Sequence, residues 1–466
     1  MLFLAPTKPL CEQHASSIKK FTTLSDGDVA VVTGETFTQK KRKEIYNKVK
    51  VVVATPQTIQ NDIDKHLSLD EYGLIIFDEV HRTVGNYAYV KIVDKYRLIS
   101  GSQILGLTAS PGNDFEILKE SVVKLGINHI EVRNEWDKDV RPYLSSRYLQ
   151  WHLIDMPDGI KKIMLKIDMI LQENLDDLYR YTSQAKNLTP DKLSKKALVE
   201  IQKRMRDNLG RRGGSLYHGL TLVSSIIKLS HLKDMLTSQG IKVAKRYVSK
   251  LESDNSRATK RIKKHKLYND IKEGIEHIKE VQPKLDMAME IVKRHLKYKK
   301  DGRIMVFAEY RDTIDMLVPK LNSIEGAKAV KFIGQTGKTS KEKGMSQKEQ
   351  KQILDEFRNG IYNVLISTSI GEEGIDIPAT SQVLFYEPVP SAIRHIQRKG
   401  RTARDGLPGE VRILIMKDSR DEGYYWSSVR KEKKMYNYVY SLKDRLEGKK
   451  VERRKIEHQS KISEFF

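Results

Sequence analysis

One short segment is the most informative part of the chain: Ile75-Ile76-Phe77-Asp78-Glu79-Val80-His81. Its apolar half predicts a buried strand, and two adjacent carboxylates and a histidine follow at the carboxyl end of that strand. In open α/β sheets, ligands bind beside this end of the strands. Phosphoryl transfer requires one Asp to hold Mg²⁺ and a second acid to orient the attacking water, and Asp78 and Glu79 match that pair. The alternative is a solvated turn after a strand.

Apolar runs of strand length recur on both sides of this segment in the first third of the chain. They are continuous rather than alternating, which is typical of parallel strands buried on both faces. The segments between them have the length of helices, so we predict a doubly wound α/β lobe. The predicted strands are Met1–Ala5, Val29–Thr33, Val49–Ala54, Leu74–Asp78 and Gln103–Thr108.

The pattern changes near Arg147, where strand signals give way to helical ones. Ile160, Ile163 and Ile167 recur at helical spacing. After Pro283 short apolar runs return, which predicts a second α/β lobe. The later predicted strands are Arg303–Phe307, Asn363–Thr368, Gln382–Tyr386 and Val411–Met416. The chain therefore divides into a first lobe over 1–146, a helical insertion over 147–282, a second lobe over 283–446 and a basic tail over 447–466.

The charge balance is strongly basic, with 84 Lys and Arg residues against 61 Asp and Glu residues among 466. The formal net charge of +23 favours a polyanionic partner, because a protein that neutralises phosphates gains from counterion release. The alternatives are a soluble protein of ordinary function with a high Lys content, or one that binds an anionic membrane surface. No apolar run approaches the length that spans a bilayer. We therefore predict a protein that binds nucleic acid.

The chain has a single cysteine, Cys11, which excludes disulfides within the chain and any multi-cysteine metal site. A reducing environment fits this composition, and the sequence shows no signal-like segment. We expect a cytoplasmic, nucleoid-associated protein.

Three more of the predicted strands are followed by loops rich in small and hydroxyl-bearing residues, at Ala5–Leu10, Ala54–Gln57 and Thr108–Pro111. Any one of them can be a helix-capping turn. Their order around Asp78 and Glu79 favours loops that hydrogen-bond the phosphate oxygens of a nucleic-acid backbone without reading bases. The candidate nucleic-acid contacts in these loops are Pro6, Thr7, Lys8, Thr55 and Pro56.

The second α/β lobe carries two polar segments, Ser367–Asp376 and Gln397–Arg404. The first stands at a strand end, where Thr368 is a candidate nucleic-acid contact and the glycines permit close backbone approach. The second places guanidinium groups three residues apart, on one face if the segment is helical. Arginine forks can stabilise charge on a transferring phosphoryl group. The alternative is a basic surface helix. Such a helix would account for the arginines but not for the order of Gln397, Gly400 and Arg401.

Together these segments resemble the motif series of a superfamily 2 helicase of the DEAH-like branch. The series is motif Ia at Ala5–Leu10, Ib at Thr55-Pro56, II at Asp78–His81, III at Thr108–Ser110, V at Thr368–Asp376 and VI at Gln397–Arg404. More narrowly, Phe3–Leu10, Gly371–Gly374 and Phe385–Ala392 are similar to the archaeal Hef helicases, relatives of the Fanconi anaemia group M protein that work on forked and branched DNA. The resemblance covers nearly the whole chain. It implies two RecA-like parallel-sheet lobes with the helical insertion as a thumb-like domain.

In the first lobe, the resemblance implies that Asp78 holds Mg²⁺ through water and that Glu79 is the catalytic base. It also implies that His81 communicates with motif VI. Thr108 and Ser110 would couple hydrolysis to movement along the strand.

In the second lobe, the resemblance implies that Arg401 and Arg404 reach the γ-phosphate of ATP across the lobe interface. Gln397 would help to place the attacking water. Gly371 and Asp376 would contact the nucleotide, with Asp376 near the ribose.

Two departures from the family pattern bear on these roles. Ala403 stands where Gly is usual in motif VI. The family also has a Gly-rich Lys-Thr loop, motif I, before motif Ia, whereas this sequence opens inside the motif Ia strand. Without that loop no backbone cradle or lysine grips the β- and γ-phosphates. We therefore expect the first lobe to be truncated at its N-terminus and the activity to belong to the complete form.

The function that the resemblance implies is an ATP-dependent DNA helicase or translocase of the Hef type, acting on forked or branched DNA in repair and replication restart. Its cofactors would be ATP and Mg²⁺. One alternative is an ATP-dead DNA-binding adaptor tethered to the sliding clamp, which the missing loop favours. Another is an RNA helicase of the innate-sensor type, which shares the inserted helical domain. Any DNA cutting would need a separate nuclease as partner.

The C-terminal tail predicts a protein partner. Its last residues resemble the box that binds the PCNA-type sliding clamp of replication, in which one helical turn inserts an apolar plug into a groove. The alternative is a tail folded back on its own protein or frayed. The residues concerned are Gln459, Ile462, Phe465 and Phe466.

A run of cations late in the helical insertion predicts contact with a DNA backbone. The alternative is a solvated helix face, the usual fate of such runs. The candidate contacts are Lys260, Arg261, Lys263 and Lys264.

Overall fold

Two parallel β-sheets organise the computed structural model. It describes residues 1–63, 65–109, 111–112, 114–135, 137–143, 145–191, 193–207, 215–278, 282–335, 344–371, 377–403 and 408–449. The first sheet contains β1 (Leu2–Leu4), β2 (Val29–Val32), β3 (Val51–Ala54), β4 (Leu74–Phe77) and β5 (Gln103–Gly106). These strands pair in the order β2-β3-β1-β4-β5, and all the pairings are parallel.

Helices cover both faces of the first sheet, so β1 and β3 are buried along their whole length. The helices of this lobe are α1 (Lys8–Phe21), α2 (Gln39–Lys48), α3 (Pro56–Ile63), α4 (Ala88–Tyr96) and α5 (Phe115–Leu125). One face forms a core with Phe77 and Tyr89, and the other packs against Cys11 and Ala15 of α1. The continuous apolar runs of the sequence reflect this burial on both faces.

β5 departs from the expectation of a strand buried on both faces. Its residues alternate between exposed and half-buried, and Leu105 is 44% exposed. The physical reason is its position, since β5 is the last strand in the order and has a hydrogen-bonded neighbour only in β4 among the described residues.

From Asp158 to His277, the described residues form helices joined by turns and loops, without a strand. The helices are α6 (Asp158–Tyr179), α7 (Lys195–Asp207), α8 (Ser215–Asp234), α9 (Ile241–Ser253), α10 (Arg257–Lys263) and α11 (Tyr268–His277). A π-helical turn, Met235–Gln239, extends α8, and Gly240 then ends it with a φ of 91°. Glycine suits this position because it adopts positive φ without a Cβ clash. The predicted helical domain between two α/β lobes is therefore confirmed.

The part of the second lobe that the structure describes contains six strands and five α-helices. The strands are β6 (Arg147–Ile154), β7 (Ile304–Phe307), β8 (Ala329–Phe332), β9 (Val364–Ser367), β10 (Gln382–Phe385) and β11 (Gly409–Met416). They pair in parallel in the order β6-β11-β10-β7-β9-β8. The helices are α12 (Pro283–Tyr298), α13 (Arg311–Asn322), α14 (Gln347–Arg358), α15 (Ala392–Lys399) and α16 (Arg420–Leu446).

The segment Arg147–Ile154 corrects a predicted boundary. We expected the helical insertion to begin at Arg147, but these eight residues form β6, which pairs with β11 at the edge of the second sheet. Leu149 and Trp151 pack inward, whereas Gln150 between them is exposed. An edge strand with one wet face alternates apolar and polar residues, so it lacks the continuous apolar run by which the other strands were recognised. The second edge strand, β8, was not predicted because it is only four residues long and Lys331 interrupts its apolar run.

Helix α16 links the second lobe to the first. Its N-terminal part carries Asp421, which forms a buried ion pair of 2.6 Å with Lys284 of α12. Farther along, the ring of Tyr438 lies 5.3 Å from that of Phe115 in α5, and Arg445 lies over the same Phe115 ring. Lys443 also reaches Glu131 at 3.0 Å. One long helix thus contacts both lobes.

Within the described residues, no helix combines the length and apolarity needed to cross a membrane.

Candidate functional site

Asp78 follows β4 directly, as the sequence predicts, and its position is set by hydrogen bonds from both neighbouring elements. Its backbone N–H donates to Leu4 O at 2.9 Å, and the buried Tyr89 hydroxyl donates to its carbonyl at 2.7 Å. Its carboxylate Oδ1 accepts the Glu79 N–H at 3.0 Å, and Oδ2 lies 2.9 Å from His14 Nε2. The carboxylate is therefore held at the carboxyl end of the sheet by two separate contacts.

Glu79, His81 and Thr108 form a chain of polar contacts from the end of β4 to the end of β5. Glu79 adopts a left-handed backbone conformation with a φ of 49°, unusual for a residue other than Gly, Asn or Asp. Its Oε2 lies 3.2 Å from His81 Nδ1, and that nitrogen lies 3.0 Å from Thr108 Oγ1. Glu79 Oε2 is buried, and no described residue gives it a well-directed hydrogen bond. A buried oxygen of this kind can accept a proton or a hydrogen bond from a bound group.

The donor set at this site fits Mg²⁺. No cluster of three or more His, Cys, Asp or Glu side chains that could hold a metal ion occurs among the described residues. Mg²⁺ does not require such a cluster, because it is usually held by one or two carboxylates together with substrate phosphates and water. Asp78 can supply that carboxylate through Oδ2, in place of its contact with His14.

His14 was not among the predicted site residues. It lies on α1, and its ring stacks on Phe3 with a centroid distance of 4.4 Å. A histidine beside a strand-end loop carries no sequence signal of its own, because its partner Asp78 is 64 positions away along the chain.

Two of the predicted nucleic-acid loops of the first lobe follow β1 and β3, the two strands next to β4 on one side of the sheet order. Thr7 is the N-cap residue of α1 and follows Pro6, while Lys8 Nζ lies 3.4 Å from Glu35 Oε2 at the surface. Thr55 hydrogen-bonds Thr58 through its hydroxyl at 2.9 Å, and Pro56 begins α3. These loops follow β1 and β3, whose carboxyl ends share one edge of the sheet with that of β4.

In the second lobe, Thr368 and Gly371 form the turn after β9. The Ser367 hydroxyl donates to Thr368 O at 2.9 Å, and the Gly371 N–H donates to the same carbonyl at 3.2 Å. Gly371 is buried so closely that an added Cβ would lie 2.4 Å from Met305 Cε. The glycine at this position is therefore a packing requirement of the turn.

The arginine segment differs from the expected single helical face. Helix α15 ends at Lys399, Gly400 caps it, and Ala403 adopts a φ of 58°. Arg401 lies beyond the helix and is nearly buried, with its carbonyl accepting the Thr380 N–H at 3.2 Å. The reason is that Thr402 bridges to Thr380 in an isolated parallel pairing, which turns the chain out of the helix. Gln397 remains on α15, half-buried, and one turn before Arg401 in sequence.

Two arginines of α15 that were not singled out are structural. Arg398 is fully buried, stacks on Phe307 at 4.8 Å from the ring centroid, and donates to Glu387 O at 3.0 Å. Arg394 grips both oxygens of Glu309, at 3.2 and 2.8 Å. Burial disfavours the ionised form of Glu309, but the hydrogen bonds from Arg394 and the charge of Arg398 outweigh it and hold the pKa of Glu309 below its ordinary value. These contacts fix the orientation of α15.

The cations predicted in the helical insertion separate into two groups. Arg261 donates to Asn174 Oδ1 at 2.8 Å and to Asp177 Oδ2 at 2.6 Å, so it ties α10 to α6. Lys263 hydrogen-bonds the carbonyl of Glu252. Lys260 and Lys264 are exposed, and no carboxylate within the described ranges pairs with either. The sequence could not separate these roles, because the partners of Arg261 lie more than 80 positions away.

Several predicted site residues lie outside the described residues: Ser110, Asp376, Arg404, Gln459, Ile462, Phe465 and Phe466.

These features define a class: two parallel-sheet lobes, with an acid pair after β4 and an arginine segment after α15, are the arrangement of superfamily 2 helicases. Comparison with known proteins agrees. The family described as type III restriction enzyme, res subunit, matches residues 1–113, and the helicase conserved C-terminal domain matches residues 284–406.

The crystal structure of the Pyrococcus furiosus Hef helicase domain is 39% identical to this chain, covers 92% of it and 88% of that domain, and has a TM-score of 0.70. The chain belongs to the Hef-type family of superfamily 2 helicases.

Curated relatives are longer than this chain. A Methanocaldococcus jannaschii protein, provisionally named as an ATP-dependent RNA helicase, is 39% identical over 96% of this chain, which spans 56% of that relative. The ATP-dependent DNA helicase fml1 of Schizosaccharomyces pombe is 31% identical over 90% of this chain, which spans 52% of that relative. The chain thus spans about half the length of these two relatives.

Proposed function

We propose that this chain is the motor part of an ATP-dependent DNA helicase or translocase that acts on forked or branched DNA in repair and replication restart. One observation carries the proposal: Asp78 and Glu79 lie side by side at the carboxyl end of β4, with Glu79 connected through His81 to Thr108 at the end of β5. An acid pair in contact with a hydroxyl on the adjacent strand end can link nucleotide chemistry to motion of that strand end.

The roles proposed for the acid pair follow from their contacts. Asp78 would hold Mg²⁺, and the ion would supply positive charge against the phosphates of ATP. Glu79 would accept the proton of the attacking water through its buried Oε2, which has an ion-pair contact with His81 at 3.2 Å but no well-directed hydrogen bond from a described residue. Arg401, with Arg404 and Gln397 of the same motif, would supply positive charge and water placement from the second lobe. Gly371 and Asp376 would complete the nucleotide site.

DNA contact is proposed for the loops that surround the acid pair. Pro6, Thr7, Thr55 and Pro56 present backbone groups and hydroxyls, and Lys8 adds a surface cation; such groups hold phosphate oxygens without reading sequence. The name of the Schizosaccharomyces pombe relative supports a DNA substrate, and the name of the Methanocaldococcus jannaschii relative supports RNA. The basic composition suits either.

The test is ATP hydrolysis by the full-length protein, measured with and without forked DNA on the wild type, on Glu79→Gln and on the control Glu71→Gln. Glu71 is an exposed acid of the same lobe. We expect stimulation by the fork in wild type and control, and a loss of about 10²- to 10⁴-fold in the Glu79 variant. If the protein binds forked DNA but hydrolyses no ATP, the motor function is rejected and the alternative of an ATP-dead adaptor is favoured. Preferential capture of a matched RNA fork in competition would assign an RNA substrate instead.

The sliding clamp is the proposed protein partner, through Gln459, Ile462, Phe465 and Phe466. Two apolar rings in an otherwise polar tail match a helix-in-groove mode of binding. Deleting residues 459–466 should abolish binding to a PCNA-type clamp while leaving fork binding intact. Unchanged clamp affinity would eliminate this partner. A separate nuclease is proposed for any cutting step.

A further inference from the structure

A cavity of about 680 Å³ opens in the helical insertion, between α6, the start of α8, and α10. Its size falls in the range of about 300–1,000 Å³ that is typical of sites for small ligands. A single nucleotide fits within such a volume, whereas a duplex can only rest on its rim. The cavity is separate from the acid pair of the first lobe and from the arginine segment of the second.

Cations line one side of the cavity. Arg257, Lys260 and Lys264 are spaced three and four positions apart along and just past α10, so they share one face. All three are exposed, and none of them has an ion-pair partner among the residues that the structure describes. Their neighbour Arg261 differs, since Asp177 neutralises its charge and the hydrogen bonds to Asn174 and Asp177 fix its position. The three exposed cations are the ones available to a phosphate.

Aromatic rings also line the cavity. Tyr217 near the start of α8 is 55% exposed and borders the cavity together with His218. The His218 ring is held 5.5 Å from the Tyr181 ring. An exposed tyrosine in the same cavity as cations without ion-pair partners is a combination that binds single-stranded nucleic acid, because every base has a face on which a ring can stack.

The other polar groups of the cavity already have partners. Glu173, its one carboxylate, lies 2.9 Å from His265 Nε2. The Asn174 amide donates to Ile170 O at 2.7 Å and accepts from Arg261. The lining therefore offers positive charge and an aromatic face, and little else that could select a ligand.

We propose that this cavity binds one nucleotide of single-stranded DNA, with Arg257, Lys260 and Lys264 holding the phosphates and Tyr217 stacking on the base. The inference rests on the proposed DNA-binding function and specifies which part of a fork the helical insertion contacts. It predicts a preference of this site for unpaired DNA over duplex, because the bases of a duplex are stacked inside and cannot reach the tyrosine.

The experiment measures the affinity of the full chain for a single-stranded oligonucleotide and for a duplex of equal length, at several salt concentrations. Tyr217→Ala is compared with Tyr179→Ala, which removes another exposed tyrosine of the insertion outside the cavity lining. Lys260→Ala/Lys264→Ala is compared with Lys250→Ala/Lys266→Ala, which removes the same charge from exposed lysines outside it.

We expect Tyr217→Ala to weaken single-strand binding about tenfold and to change duplex binding little, since one stacked base contributes about 1–3 kcal/mol. The cavity lysine pair should lower the salt slope for single strands by about 1.4, because each phosphate that is no longer neutralised reduces the slope by about 0.7. The two control variants should match the wild type.

Equal loss of duplex and single-strand binding in the lysine variant, with no effect of Tyr217→Ala, would overturn the proposal in favour of a duplex-backbone contact. Unchanged binding in both cavity variants would remove the cavity from the DNA site while the proposed function stands. If the wild type binds no DNA, the proposed function itself fails.

Discussion

Gly371 illustrates how tightly single residues are constrained in the second lobe. An added Cβ would lie 2.4 Å from Met305 Cε and 2.5 Å from Ser367 Oγ, distances that real Cβ atoms do not show. The glycine was predicted from sequence as a position of close backbone approach, and the structure identifies side chains of β7 and β9 as its neighbours.

We predict that Gly371→Ala lowers the free energy of unfolding by about 2 kcal/mol, because overpacking displaces the surrounding side chains. The measurement is the urea midpoint of the second-lobe transition. Gly334→Ala is the matched control in the same lobe, since the nearest heavy atom to an added Cβ there is Ile370 Cδ1 at 4.0 Å. Equal midpoints for the two variants would show that the turn after β9 accommodates a Cβ at position 371 without loss of stability.

Glu387 is a buried acid at the end of β10. Burial raises the pKa of its carboxyl to about 7 from an ordinary 4.5; Lys284 opposes the rise, while Asp421 and Glu309 add to it. Its Oε2 accepts the Glu309 N–H at 2.6 Å, and Thr313 Oγ1 lies 3.4 Å from Oε1. A carboxyl whose pKa is raised by folding stabilises the fold fully below pH 4.5, and that contribution is lost as the pH rises through about 7.

Glu387→Gln should remove this pH dependence, because a neutral amide can accept from Glu309 and donate to Thr313 at any pH. Relative to wild type, we expect the variant to gain about 3 kcal/mol of stability between pH 4.5 and pH 8. Denaturant titrations across that range measure it. A constant difference at all pH values would mean that Glu387 keeps an ordinary pKa when folded.

At the scale of elements, helix α10 and the residue that follows it carry two kinds of cation, one paired within the insertion and the others lining the cavity. Arg261 joins α10 to α6 through two charge-assisted hydrogen bonds, whereas Lys260 and Lys264 face the cavity without carboxylate partners in the described part of the chain. A helix that anchors on one side can present its other cations in a fixed arrangement.

Arg261→Ala is therefore predicted to destabilise the helical insertion by about 1 kcal/mol, a modest value because the pair is one-third exposed and screened by water. Lys266→Ala, an exposed neighbour, should leave the unfolding midpoint unchanged. In DNA binding the expectation is that Arg261→Ala keeps the wild-type salt slope. A drop of about 0.7 in that slope would instead identify Arg261 as a phosphate contact.

At the scale of the whole molecule, α16 is the element that connects the lobes. The Phe115–Tyr438 ring pair, the Arg445 contact with the same ring, and the Lys443–Glu131 ion pair all join its C-terminal half to the first lobe. Phe115 begins α5, the helix after the Thr108 strand end, so the contact meets the first lobe close to the proposed coupling motif.

A double-mutant cycle on Phe115→Leu and Tyr438→Leu should give a coupling free energy of about 1 kcal/mol, as for other edge-to-face ring pairs. The quantity measured is the thermal midpoint of the first-lobe transition in each single and double variant. The cycle Phe21→Leu with Tyr438→Leu provides the control, because Phe21 is 77% exposed on α1. Additive effects in the first cycle would mean that α16 does not couple the lobes through these rings.

The core strands could be predicted from the sequence because burial on both faces requires a continuous run of apolar residues. β1, β3 and β4 are runs of apolar residues, and the acid pair follows β4 immediately, so neither required knowledge of distant residues. The edge strands β6 and β8 have one wet face and an interrupted pattern, and they could not be recognised in the same way.

Contacts between distant residues depended on the tertiary structure. His14 reaches Asp78 across 64 positions, Arg261 reaches Asn174 across 87, and Tyr217 meets Lys260 at one cavity from different helices. Cations that look alike in the sequence differ in the folded protein. Some pair with carboxylates that folding brings beside them, and others line the cavity without such a partner among the described residues. A local pattern contains no record of that pairing, because it is set by how helices far apart in the chain pack together.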